Sequence, residues 1–84
     1  MRIVFSGHAW RDYLYWQKHD RAVVRRINDL IRDVRRHPHE GIGKPEPLQH
    51  ALRGYWSRRI TAEHRLVYRV KGDALLIAQL RYHY

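Results

Sequence analysis

The stretch from Gly54 to Tyr84 limits the possible folds more than any other part of the chain. It holds three β-prone runs, Tyr55 to Ile60, Arg65 to Val70 and Ala74 onward, separated only by Thr61-Ala-Glu-His64 and Lys71-Gly-Asp73. Runs this close together, with polar turns between them, predict a three-stranded antiparallel meander whose last strand runs to the chain end. Alternation predicts that Leu66, Tyr68 and Val70, with Ala74, Leu76, Ala78, Leu80 and Tyr82, form the face turned to the rest of the molecule. A three-residue turn at Lys71 to Asp73 would then gather Arg65, Arg69, Arg81 and His83 on the opposite face.

The partner for that sheet comes earlier in the chain. Arg2 to Phe5 is a short β-prone run, and Ser6 follows as an N-cap. Trp10, Tyr13, Leu14 and Gln17 recur at helical spacing and predict a first helix over about residues 7 to 18, with Arg11, Asp12 and Lys18 turned away. Asp20 is the next N-cap. Val23, Val24, Ile27, Leu30, Ile31 and Val34 then mark a second helix ending at Arg36, because Pro38 lacks the N–H the ladder needs and restricts His37. The expected class is α+β, one domain over residues 1–84, with two N-terminal helices packed on one face of a small antiparallel sheet.

Charge separates the functional classes. Lys and Arg number 17 against 8 Asp and Glu, a net +9, which favours a polyanionic partner, nucleic acid first. No cysteine is present, which excludes disulfides and thiolate metal sites and fits a reducing cytoplasm. No apolar run approaches the length of a membrane span. Metal-dependent cleavage would need carboxylates gathered around a magnesium ion, but those of this chain are scattered. His37 and His39 form a weak H-x-H zinc signal, interrupted by Pro38.

RNA can be cut without a metal, because its 2′-hydroxyl is a nucleophile already beside the phosphate. Cleavage then requires a base for that proton, an acid for the departing 5′-oxygen and a fixed cation for the charge growing on phosphorus. Glu46, held between Pro45 and Pro47, His83 and Arg65 are the residue types that could fill those roles, and Tyr84 could stack on a base. His8, His19, His50 and His64 are assigned to surface or packing.

Five stretches, Asp12-Tyr-Leu-Tyr-Trp16, Lys44-Pro-Glu-Pro-Leu48, Trp56-Ser-Arg-Arg-Ile60, Glu63-His-Arg-Leu-Val-Tyr68 and Arg81-Tyr-His-Tyr84, resemble the YoeB (Txe/YoeB) toxins of the RelE/ParE superfamily over essentially the whole chain. The resemblance implies a RelE-like, microbial RNase-like fold. It also implies a metal-free, cofactor-free endoribonuclease that cleaves mRNA in the ribosomal A site and a YefM-type antitoxin partner, with homodimer formation carried over from the family. On this likeness Glu46 acts as base, Arg65 stabilises the transition state, His83 acts as acid and Tyr84 orients substrate. Lys44, Arg58, Arg59, Arg69 and Arg81 are expected to contact RNA or ribosome. One departure is Ser6-Gly7-His8-Ala9, which lacks first-turn acidic residues at the head of the first helix. Two other readings remain open: a non-catalytic ParE-like toxin that binds gyrase, and a plain RNA-binding module, which would need the basic face but neither Glu46 nor His83.

Overall fold

The computed structural model describes residues 1–83. In chain order it has strand β1 (Arg2–Phe5), helices α1 (Gly7–His19) and α2 (Arg21–Arg36), strand β2 (Glu46–Pro47), a 3-10 turn at His50–Leu52, and strands β3 (Trp56–Arg59), β4 (Arg65–Lys71) and β5 (Ala74–Gln79). The strands form one five-stranded sheet of order β1-β5-β4-β3-β2. The expected meander is its centre, with β3-β4 and β4-β5 antiparallel. The sheet is mixed rather than purely antiparallel, because the N-terminal run docks alongside β5 in parallel. The other edge is completed by β2, which pairs Glu46 with Ser57 and Pro47 with Trp56.

Both helices start where their caps put them. Ser6 Oγ accepts the Ala9 N–H at 3.0 Å. Asp20 makes the corner between helices: its N–H donates to the Trp16 carbonyl at 2.8 Å, and its carboxylate accepts the N–H groups of Ala22 and Val23. One residue thereby ends α1 and starts α2. Along α2, Val23, Ile27, Leu30, Ile31 and Val34 are buried, as their spacing predicts, and the helix stops at Arg36 before Pro38. Among the described residues no helix is long and apolar enough to cross a membrane.

Two expectations about facing are corrected. In α1 the buried positions are Ala9, Asp12 and Trp16, while Trp10 and Leu14 are exposed. The helix is therefore rotated relative to its aromatic stripe. The cause lies far away in sequence: Asp12 Oδ2 accepts the Leu80 N–H at 3.0 Å, and Trp16 Nε1 donates to the Leu80 carbonyl at 2.9 Å. Both backbone hydrogen-bonding groups of Leu80, the residue just beyond the end of β5, are satisfied by one face of α1.

In β5 the parity is the reverse of that expected. The β4-β5 turn has two residues, Gly72 and Asp73, because Lys71 pairs with Ala74, and Gly72 takes φ +58°, a conformation that favours glycine. Tyr68 then opposes Ile77, and Val70 opposes Leu75, so Leu75 and Ile77 join the core in place of Ala74, Leu76 and Ala78. A bulge at Val67/Tyr68 inserts Ala78 and shifts the phase again, returning Leu80 to the core. The strand ends at Gln79, so residues 80 to 83 leave it instead of extending it. The helix-facing residues of β4, Leu66 and Tyr68, are those expected.

Replacing Asp12 with Ala leaves a buried N–H at Leu80 without its acceptor. Urea unfolding should show a loss of about 1–3 kcal/mol, whereas Asp12→Asn, which keeps an acceptor oxygen, should lose less.

Candidate active site

Alternation in β3 sends Trp56 and Arg58 toward the helices and Ser57 and Arg59 to the open face. Arg58 consequently has no exposed surface, which corrects the expectation that it contacts RNA. Its guanidinium donates to the Asp33 carboxylate, to the His37 carbonyl, to the Glu40 carbonyl at 2.8 Å and to the Ile42 carbonyl at 3.2 Å. Its Nε donates to Tyr68 Oη at 3.2 Å, and that hydroxyl donates to the Pro38 carbonyl at 2.6 Å. Asp33 also accepts the Ile42 N–H at 3.0 Å. The loop between α2 and β2 is thus tied, carbonyl by carbonyl, to one buried cation. A Cβ on Gly41 (φ +116°) would lie 2.0 Å from an Asp33 oxygen, so this approach needs glycine.

The tied loop delivers the candidate base. The Gly43 carbonyl accepts the Arg59 N–H at 2.7 Å, and β2 then pairs along β3 so that Glu46 stands opposite Ser57. Ser57 opposes Val67, and Val67 opposes Gln79, which places Glu46, Ser57, Val67 and Gln79 in one row across the open face. The next row on that face is Arg59 opposite Arg65. Strand spacings put the Glu46 and Arg65 backbones about 12 Å apart. Glu46 is exposed and forms no ion pair among the described residues. The Arg65 guanidinium is oriented by the carbonyls of Thr61, Ala62 and His64 at 2.8, 3.1 and 3.2 Å.

The candidate acid arrives on the tail. After Leu80 is fixed by α1, the Tyr82 carbonyl accepts the Arg65 N–H at 3.1 Å, and the Tyr82 N–H donates to His64 Nδ1 at 2.7 Å. Gln79 Nε2 donates to the carbonyls of Arg81 at 2.7 Å and His83 at 3.0 Å. His83, which is exposed, therefore follows directly on a peptide bonded to Arg65. The expectation for Tyr84 falls outside the described residues. Arg81 does not share the face of Arg65: it lies over the Tyr15 ring of α1 at 3.6 Å and over Tyr82 at 4.7 Å. Arg69 is on the open face, 5.8 Å from the Tyr55 ring centre, and Lys44 is exposed next to the Gly43 carbonyl that binds Arg59. His37 and His39 diverge, the first 3.8 Å from Glu40 and the second stacked on Trp56. Among the described residues no three His, Asp or Glu side chains gather around a possible metal position.

The residues that sequence reasoning missed are those that hold the others: Asp12, Trp16, His64 and Gln79. The i, i+4 spacing of Asp12 and Trp16 was the only local signal for any of them.

The Arg58 bond, with the Ile42 N–H, holds the Asp33 carboxyl below its ordinary value of 3.8, while burial raises the Tyr68 hydroxyl above 10.0. An acid whose folded value is depressed adds stability above its unfolded value and loses it as pH falls through the folded one. The wild-type chain should therefore lose stability as pH drops below about 3.8. Asp33→Asn should lack that step while being less stable at neutral pH, and Arg58→Ala should cost about 3–5 kcal/mol by orphaning its partners. Denaturant midpoints across pH measure both.

The chain is similar to known proteins over its whole length. Residues 5–84 match the family model described as the YoeB-like toxin of bacterial type II toxin-antitoxin systems. The chain is 62% identical to Toxin YoeB of Escherichia coli (strain K12) over 84 residues, the full length of both. The solved YoeB dimer from Staphylococcus aureus superposes with a TM-score of 0.94 at 48% identity, covering 100% of this chain and 98% of that one. The YoeB-YefM complex from Staphylococcus aureus gives 0.92 at 47% identity with the same coverage. Full-length identity at this level, on the RelE-like arrangement of two helices and a five-stranded sheet, means that the chain belongs to the YoeB-like toxins of bacterial type II toxin-antitoxin systems.

Proposed function

We propose that this toxin is a ribosome-dependent, metal-independent endoribonuclease that cleaves mRNA in the A site and so inhibits translation. The observation that carries the reading is the sharing of one sheet face by Glu46 and Arg65, with the tail that bears His83 bonded to the Arg65 backbone. In this reading the Glu46 carboxylate takes the proton from the ribose 2′-hydroxyl, and the 2′-oxygen attacks the adjacent phosphorus. The guanidinium of Arg65, with Arg59 beside it, stabilises the charge that builds on the phosphoryl oxygens. His83 gives its proton to the departing 5′-oxygen. The products are a 2′,3′-cyclic phosphate and a 5′-hydroxyl, so no external nucleophile is consumed.

The net +9 charge supports binding to ribosomal RNA, with Lys44, Arg59 and Arg69 as contacts. A YefM-type antitoxin and a second copy of the chain are the protein partners proposed, by analogy with the assemblies named for the Staphylococcus aureus toxin.

Glu46→Gln and His83→Gln should each lower the single-turnover rate on programmed ribosomes about 10²–10⁴-fold with ribosome affinity retained. Arg65→Ala should lose more in rate than in affinity, and EDTA should leave wild-type cleavage unchanged. Undiminished cleavage in both Glu46→Gln and His83→Gln would remove the acid–base assignment. Growth arrest with intact transcripts and inhibited gyrase would favour the ParE-like reading instead.

A further inference from the structure

His64 sits in the turn between β3 and β4, half-buried, with its ring edge-on to Trp16 at 4.8 Å and tilted against Tyr82 at 5.4 Å. The turn fixes it firmly. Its N–H donates to Thr61 Oγ1 at 3.2 Å, and its carbonyl accepts from the N–H groups of Ile60 and Thr61 and from the Arg65 guanidinium. Held in this way, Nδ1 points at the Tyr82 N–H and accepts it at 2.7 Å. An acceptor nitrogen carries no proton, so the neutral ring has its hydrogen on Nε2. The carbonyl of the same residue, Tyr82, accepts from the Arg65 N–H at 3.1 Å.

Tyr82 needs this restraint. Its φ of +60° lies in the left-handed region, which costs a non-glycine residue about 1 kcal/mol or more unless its surroundings impose it. His83 is the next residue, so whatever fixes the Tyr82 peptide also fixes where His83 stands relative to Arg65.

We propose that His64 is a positioning residue: the Nδ1 lone pair holds the Tyr82 peptide in its left-handed conformation and thereby places His83 beside Arg65. The inference rests on the ribonuclease reading for its catalytic consequence, but the restraint of the tail is a separate property of the fold. A proton on Nδ1 turns the acceptor into a donor facing another donor, so acid frees the tail. The rings against His64 are Trp16 of α1 and Tyr82 of the tail. The charged and titratable groups one contact further out are Tyr15 on Trp16, His19 tilted against Tyr15, Arg81 over Tyr82, and Arg65, whose guanidinium bonds the His64 carbonyl, with Glu63 next in the turn.

The test uses the full-length toxin as wild type, His64→Ala and His64→Asn, the last placing an amide oxygen close to the Nδ1 position without a titrating group. Single-turnover cleavage should fall about tenfold or more in His64→Ala at unchanged half-saturation, and His64→Asn should recover most of the rate. In 15N spectra the Tyr82 amide should move in His64→Ala and on acidification of wild type. That acid shift should persist in His83→Gln and vanish in His64→Asn. A wild-type rate in His64→Ala, or a Tyr82 amide unmoved by both the substitution and acid, overturns the proposal. If wild type cuts nothing, the ribonuclease reading fails, while the amide shifts still decide whether His64 holds the tail.

Discussion

A guanidinium with no exposed surface is the constraint on which the rest of the molecule depends. Burying a cation costs several kcal/mol unless a counter-charge and further acceptors surround it. Arg58 meets that condition with one carboxylate from α2, one phenol from β4 and three carbonyls from the loop between α2 and β2. The loop carries no regular structure of its own from His37 to Pro45, so these bonds stand in for a hydrogen-bonding ladder. Its conformation determines where β2 begins, and therefore which residue of β2 stands opposite Ser57.

The tail is organised by the same principle with different partners. Leu80 offers one donor and one acceptor, and α1 satisfies both with Asp12 and Trp16. Past that point the backbone is bonded once to His64, once to Arg65 and by more than one carbonyl to Gln79. Arg81 adds a side-chain contact over the Tyr15 ring, and His83 at the end of this segment is exposed. The buried clamp, through β2, and the tail, through β5, thus flank the β3-β4 pair from opposite sides, with Arg59 and Arg65 between them.

Much of this was legible in the sequence where the signal is local. The period of α2, the caps at Ser6 and Asp20 and the stop before Pro38 each depend on a few neighbouring residues, and each is where it was expected. What failed depends on distant partners. The parity of β5 rests on whether its turn has two residues or three, a choice made by the backbone of Gly72. The buried face of α1 rests on Leu80, almost at the other end of the chain. Arg58 and Arg59 are neighbours of one residue type, and only the pairing of Arg58 with Leu66 and of Arg59 with Arg65 sends one inside and leaves the other out. The roles suggested for Glu46, Arg65 and His83 came from chemical type and family likeness, and neither could supply the register that puts Glu46 and Arg65 on one face.

The central claim is that this face is where a scissile nucleotide lies. The most direct measurement is a structure of the toxin on a ribosome whose A-site mRNA carries a 2′-O-methyl group at the cleavage position, so that attack is blocked. The account predicts the Glu46 carboxylate at the modified 2′-oxygen, Arg65 at the phosphate and His83 at the 5′-oxygen. An mRNA bound instead along α1 and α2, with the open face of the sheet empty, would contradict it.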